Sequence, residues 1–124
     1  MKEIYAIIRP NKMLATKKAL DAAGLPGMTA WKVMGRGKQK GIAGEVGFQI
    51  SPEILEQAEK DGGMRYVPKR MVYIVVNDED VSRAIDLIIA VNQTGSPGDG
   101  KIFVLPLETS IRVSTQEKGE AALK

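Results

Sequence analysis

The sequence predicts an α+β domain of two β-α-β units in tandem. This is β-α-β-β-α-β, the ferredoxin-like arrangement in which two helices cover one face of an antiparallel sheet. Three observations carry the prediction. Two similar apolar runs, Ile4-Tyr5-Ala6-Ile7-Ile8 and Val72-Tyr73-Ile74-Val75-Val76, each lead into a helical pattern, a glycine and a further strand-like run. The chain has 124 residues, the size of a single domain that buries a core without staples. One connection, between the second and third strands, is far longer than a hairpin needs.

Strands are expected at residues 3–9, 28–34, 71–76 and 102–107, short apolar runs bounded by Pro, Gly, Asn or Asp. The first helix follows Pro10. Asn11 is its expected N-cap, Met13, Thr16, Leu20 and Ala23 share one face, and Gly24 supplies a left-handed stop. The second follows Asn77 or Asp78 as cap, with Val81, Ala84, Ile85 and Ile88 as its apolar stripe and Gly95 beyond its end. The central strands are apolar on both faces. The face turned away from the helices therefore needs a cover, which another subunit supplies.

The long loop spans 36–68. Connections beyond about 12–15 residues are functional or disordered in compact domains. Within it, 51–61 reads as a short helix capped by Ser51, with Pro52 at its first position, Glu53 near the positive end and Gly62 after it. Its apolar side is only Ile54, Leu55 and Ala58, so it is expected to be ordered by a ligand or partner. Glu53, Glu56, Glu59 and Asp61 read as a solvated face. The tail, 116–124, reads as a frayed end or weak helix.

Composition narrows the chemistry. There is no cysteine and no histidine, which excludes disulfides, thiolate and imidazole metal sites and every Ser-His or Cys-His pair. The excess of 18 Lys and Arg over 15 Asp and Glu is too small to point to nucleic acid. One Trp, three Tyr and two Phe are few for a base-stacking platform. The start of the chain is too soon charged for a signal peptide, and no apolar run approaches the ~20 residues of a membrane span. A cytoplasmic protein without membrane insertion is expected.

Two segments can hold an anion. Gly35-Arg36-Gly37-Lys38-Gln39-Lys40-Gly41 directly follows a strand, and its glycines let the backbone approach a ligand that its cations attract. It lacks the Walker spacing. Thr94-Gly95-Ser96-Pro97-Gly98-Asp99-Gly100-Lys101 leads into the last strand. Each segment alone reads equally well as a solvated turn. Together, two Gly/Lys turns at strand ends can grip a polyphosphate from both sides, with Lys69, Arg70 and Arg112 as further cations.

From residue 1 to about 115 the chain resembles the PII signal-transduction family, trimeric sensors of ATP, ADP and 2-oxoglutarate in nitrogen metabolism. The resemblance rests on Ala6-Ile7-Ile8-Arg9-Pro10, on Ala23-Gly24-Leu25-Pro26-Gly27-Met28-Thr29 and on the two glycine segments, the second being the most specific. It implies a single PII-like domain over residues 1–124, assembled as a homotrimer or with a paralogous subunit. It places Gly35, Gly37, Lys38, Gln39 and Lys40 on the first nucleotide-contacting loop and Gly98, Asp99, Gly100 and Lys101 on the second. Arg112 becomes a phosphate partner, and Ile7, Met28 and Thr29 surround the base, part of it from a neighbouring subunit. For 2-oxoglutarate it implies Gln39, Lys40, Gly41 and Lys69, with Gln39 also a ligand of Mg²⁺. Mg-ATP or ADP and 2-oxoglutarate are then effectors, with no prosthetic group and no catalysis.

Three departures separate the chain from many members. The one tyrosine of the loop is Tyr66, near its base and outside a uridylylation motif; Ser114 stands where a second arginine is common; and the loop carries the insert at 51–61. The loop entrance without a tip tyrosine is similar to the nitrogenase-regulating PII-like proteins of archaea and anaerobic bacteria. Nitrogenase is therefore the expected partner. Gating of an ammonium transporter is the alternative, and a nucleotide phosphohydrolase using Asp99 or a loop Glu a more distant one.

Overall fold

The computed structural model describes residues 1–37 and 66–123. The helix read at 51–61 and the turn residues Lys38, Gln39, Lys40 and Gly41 lie outside the described residues. Four strands, β1 (Lys2–Ile8), β2 (Thr29–Gly35), β3 (Val67–Val76) and β4 (Lys101–Pro106), alternate with helices α1 (Met13–Ala22) and α2 (Val81–Asn92) as the tandem β-α-β pattern requires. The sheet order is β2-β3-β1-β4, and every neighbouring pair is antiparallel.

One face of this sheet carries the core. Ile4, Ala6 and Ile8 of β1 alternate inward beside Val72, Ile74 and Val76 of β3, and Leu20, Ala84 and Ile88 close over them from the helices. Each of the larger side chains contributes roughly 1.5–3 kcal/mol by leaving water. A polar pair joins the helices inside this layer: Asn92 donates from Nδ2 to Thr16 Oγ1 (3.0 Å) and to the Ile88 carbonyl (2.9 Å). The opposite face is apolar too. Tyr5 is opposite Tyr73 on one side and Phe103 on the other, and the two tyrosine rings lie 4.9 Å apart. Trp31 and Phe103 remain 42% and 45% exposed in the single chain, so this face does lack a cover.

Several boundaries differ from expectation. Asn11 does not cap α1: residues Pro10–Lys12 form a 3-10 turn, and the helix starts at Met13 without a side-chain cap. Proline's fixed φ begins the tight turn one step before the helix. Asn77 and Asp78 likewise make no side-chain cap, because the 3-10 turn Asp78–Asp80 precedes α2. Its three acidic residues still face the positive end of the helix. Gly24 has the positive φ expected of a left-handed stop, +80°, and Gly95 beyond α2 also has a positive φ, +88°.

β3 starts four residues earlier than expected, at Val67. Pro68 suggests a boundary, yet β1 ends opposite Arg70, so residues 67–69 pair with β2 alone. A proline is tolerated there as on an edge strand. The tail is also more structured than a frayed end. Gly119–Leu123 forms a 3-10 turn, Ile111 bridges to Lys118, and the Gly119 carbonyl accepts from Ser110 Oγ at 2.9 Å.

Candidate functional site

Three chain segments meet where β1 ends. The charge that stops the apolar run, Arg9, is 8% exposed. Its Nη1 donates to Asp99 Oδ1 at 2.7 Å and its Nη2 to the Pro97 carbonyl at 3.0 Å. The turn between α2 and β4 therefore folds back on the end of β1.

Asp99 organises that turn from inside. Its Oδ2 accepts the amides of Thr94 (2.7 Å) and Gly95 (2.8 Å), while Thr94 Oγ1 donates to Oδ1 beside Arg9. The Thr94 hydroxyl and then Arg9 hold the carboxyl well below the usual carboxylate range, with the two amides adding to the effect. A carboxylate so engaged is a fastener and not a base. That removes the Asp99 route to phosphate-bond hydrolysis.

Gly100 makes the close approach possible. At φ +116°, a Cβ there would lie 1.9 Å from the Ile7 carbonyl oxygen. Only glycine lets the turn rest directly on the β1 backbone before Lys101 pairs with Ile7.

Lys69 bridges the two glycine segments. It is 5% exposed and lies on β3 beyond the end of β1. Its Nζ donates to the Gly98 carbonyl at 2.8 Å. A Cβ on Gly35 would come within 3.3 Å of the Lys69 Cγ, so the stem of the lysine passes against the exit of β2. Thus Ile7, Gly35, Lys69, Gly98, Asp99, Gly100 and Lys101 gather at one end of the sheet. Gly37 is described and exposed just past β2. Lys38, Gln39, Lys40 and Gly41 continue from it, outside the described residues.

The remaining predicted residues lie elsewhere in the chain. Thr29 and Met28 are at the start of β2, which is the sheet edge opposite β4. Three strand spacings separate those edges, ~14 Å. Arg112 is further removed. Its segment is tied to the opposite end of β1, with the Leu107 amide donating to the Met1 carbonyl and Ser110 Oγ to Met1 Sδ. β1 alone is ~20 Å long. Arg112 turns back on its own tail, to Glu117 Oε1 at 3.2 Å and the Ala122 carbonyl at 3.4 Å. Arg70 points to the helix face, opposite Ile8 and Lys32.

Sequence reasoning named Arg9 and Thr94 only within longer motifs and gave neither a role at this site. The available signal for Arg9 was a charge terminating an apolar strand; for Thr94 it was the five-residue spacing to Asp99 around two turn glycines. Beside the site, a groove of ≈ 460 Å³ runs between α2 and the free edge of β4, past Ile85, Ile89 and Val104. Among the described residues there is no group of three His, Cys, Asp or Glu able to hold a metal ion, and no helix is long and apolar enough to cross a membrane.

Among the described residues this arrangement suits an anion, since it offers glycine backbone and the exposed Lys101, with the Asp99 carboxylate turned inward. Comparison with known proteins agrees with the resemblance. Residues 1–117 match the family described as nitrogen regulatory protein P-II. The nitrogen fixation nifHD1 region GlnB-like protein 2 of Methanosarcina barkeri is 56% identical over 124 residues, the whole of both chains. The nitrogen fixation nifHD region GlnB-like protein 2 of Methanobacterium ivanovii is 56% identical over 123 residues, 99% of each. The nitrogen regulatory protein P-II 2 of Methanothermobacter thermautotrophicus is 42% identical over 123 residues, 99% of this chain and 97% of that one. The chain belongs to the P-II family of nitrogen regulatory proteins, which are signalling regulators and not enzymes.

Proposed function

We propose that this regulator binds ATP or ADP, together with Mg²⁺ and 2-oxoglutarate, in clefts between the subunits of a trimer, and that occupancy resets the 36–68 loop against nitrogenase. The observation that carries the reading is the meeting of the two glycine segments at one end of the sheet, bridged by Lys69. A polyphosphate needs several amides and cations around it. The glycine backbone of the 97–100 turn and the exposed Lys101 stand at this end of the sheet, and Lys38 and Lys40 follow Gly37 in sequence, which supports the reading.

The placement of the other residues supports the assembly. Met28, Thr29 and Arg112 cannot reach the 98–101 turn of their own chain, given the sheet order and the length of β1. They join a common nucleotide only if a second copy presents them. The apolar face of Tyr5, Tyr73 and Phe103 and the free β4 edge supply surface for that association. Mg²⁺ fits as a counter-ion of the nucleotide. The Asp99 carboxylate is engaged by Arg9, Thr94 and Gly95, so phosphate and keto-acid oxygens with Gln39 would hold it. The relatives named for nitrogen fixation gene regions favour nitrogenase as the partner enzyme, through a complex with this chain or a paralogue.

No covalent step is required. Effectors act by binding two loop states unequally. Calorimetry with ATP and ADP, each with and without 2-oxoglutarate, tests the reading. Coupled sites predict that 2-oxoglutarate binds tightly only with Mg-ATP present; equal binding without nucleotide refutes the mechanism. Sedimentation at micromolar concentration tests the trimer.

A further inference from the structure

Two buried cations beside the site each hold the backbone of the turn between α2 and β4. Arg9 takes the Pro97 carbonyl and the Asp99 carboxylate, and Lys69 takes the Gly98 carbonyl. Three consecutive residues of one turn are thus drawn inward by two side chains that are 8% and 5% exposed. A buried charge is costly unless well satisfied, so its use to hold a turn demands a return.

The conformation of the turn indicates what is returned. Gly98 and Gly100 both have positive φ, +99° and +116°. Among the described residues, neither N–H has a backbone acceptor. Drawing carbonyls inward across such a turn leaves amides to face an incoming anion, the geometry of an anion nest. Engaging the Asp99 carboxylate internally also keeps a negative charge from meeting that anion.

We infer that Arg9 and Lys69 form a clasp that pre-shapes the 97–100 turn for a nucleotide's phosphates, both acting as positioning residues through the backbone they hold. For Lys69 this role is separate from holding the carboxylate of a keto acid. It predicts an effect on nucleotide with 2-oxoglutarate absent. The inference rests on the nucleotide reading above, and pre-organisation is its physical content: a turn already held loses less freedom on binding.

The test uses the full-length protein with Lys69→Met, Lys69→Arg and Arg9→Lys. In ligand-free protein, amide exchange at Gly95, Gly98, Asp99 and Gly100 should rise in Lys69→Met and Arg9→Lys while the core amides of Ile4 and Val72 stay protected. In calorimetry without 2-oxoglutarate, Lys69→Met should bind ATP about tenfold more weakly, the order of one hydrogen bond to a charged group. Lys69→Arg, able to reach the same carbonyl, should recover most of the loss. Unchanged exchange across the turn in both Lys69→Met and Arg9→Lys overturns the clasp, as does ATP affinity within twofold of the parent in Lys69→Met. Failure of the parent protein itself to bind ATP would refute the nucleotide reading; the exchange measurement would still decide whether the turn is clasped.

Discussion

Replacing Gly100 by alanine gives the sharpest test of how the turn sits on the sheet. The added Cβ would lie 1.9 Å from the Ile7 carbonyl oxygen and 3.1 Å from the Ile7 carbonyl carbon, both backbone atoms that cannot swing aside. Relief to 3.0 Å, the closest that real Cβ atoms approach, moves turn and strand apart by about 1 Å. The Arg9–Asp99 and Lys69–Gly98 bonds, 2.7 and 2.8 Å, are then strained, and the flexible donor side chains recover part of what is lost, leaving the equivalent of one weakened bond. Alanine at φ +116° adds roughly 1–3 kcal/mol of backbone strain. Strain with one weakened charged hydrogen bond of about 1.5 kcal/mol puts the loss near 3–4 kcal/mol. Gly95→Ala is the control. Its φ is +88°, but nothing lies within 4 Å of the new Cβ, so its cost is strain alone, about 1–2 kcal/mol. Urea unfolding of both variants measures the difference, and ATP titration should show a larger loss for Gly100→Ala. Equal stability of the two variants would refute the close approach of turn to β1.

Three further expectations follow from other contacts. Asp99 is held below its ordinary pKa in the folded state, so its contribution to stability is present above the unfolded carboxyl value near 4 and is lost as pH falls below that; Asp99→Asn should flatten acid unfolding measured by circular dichroism below about pH 4. Burial and the bond to Glu3 Oε1 (2.8 Å) push the Tyr73 phenol up to about 12. Ultraviolet titration should find one tyrosine ionising late, and Glu3→Gln should bring it down part of the way, the burial contribution remaining. Ile88→Ala removes a 2%-exposed side chain from between helix and sheet, and chemical unfolding should show a loss of about 2–5 kcal/mol.

Much of this fold is legible because its determinants are local. The continuous apolar run Ile4-Tyr5-Ala6-Ile7-Ile8 marks a strand covered on both faces, and the stripe of Ala84 and Ile88 shows which side of its helix is buried before any neighbour is known. The start of β3 is not local. Whether Pro68 breaks the strand depends on β1 ending opposite Arg70, a fact of pairing that the proline's own neighbourhood does not contain. Helix caps failed for a related reason: Asn11 and Asn77 have cap chemistry, but Asn11 falls inside a 3-10 turn and Asn77 before one, each ahead of its helix. At the site, the glycine segments are visible as composition. Their joining by Lys69 is a tertiary event across 29 residues of separation, and Arg9 reaches Asp99 across 90.

The absence of histidine and cysteine leaves this protein with backbone, amides, carboxylates and permanent cations. Permanent cations can either meet a ligand or hold structure, and here burial separates the uses. Arg9 and Lys69, nearly inaccessible, hold the turn, whereas Lys101 is exposed at the start of β4 beside it. A sensor gains from that division. In the proposed reading, because Arg9 is paired with Asp99 and Lys69 is bonded to the Gly98 carbonyl, an arriving phosphate would add interactions without having to displace the bonds that shape its site. Under the same reading, affinity would depend on how many outer cations and second-copy residues join the phosphate, contributions that the 36–68 loop and a neighbouring subunit would grant or withhold.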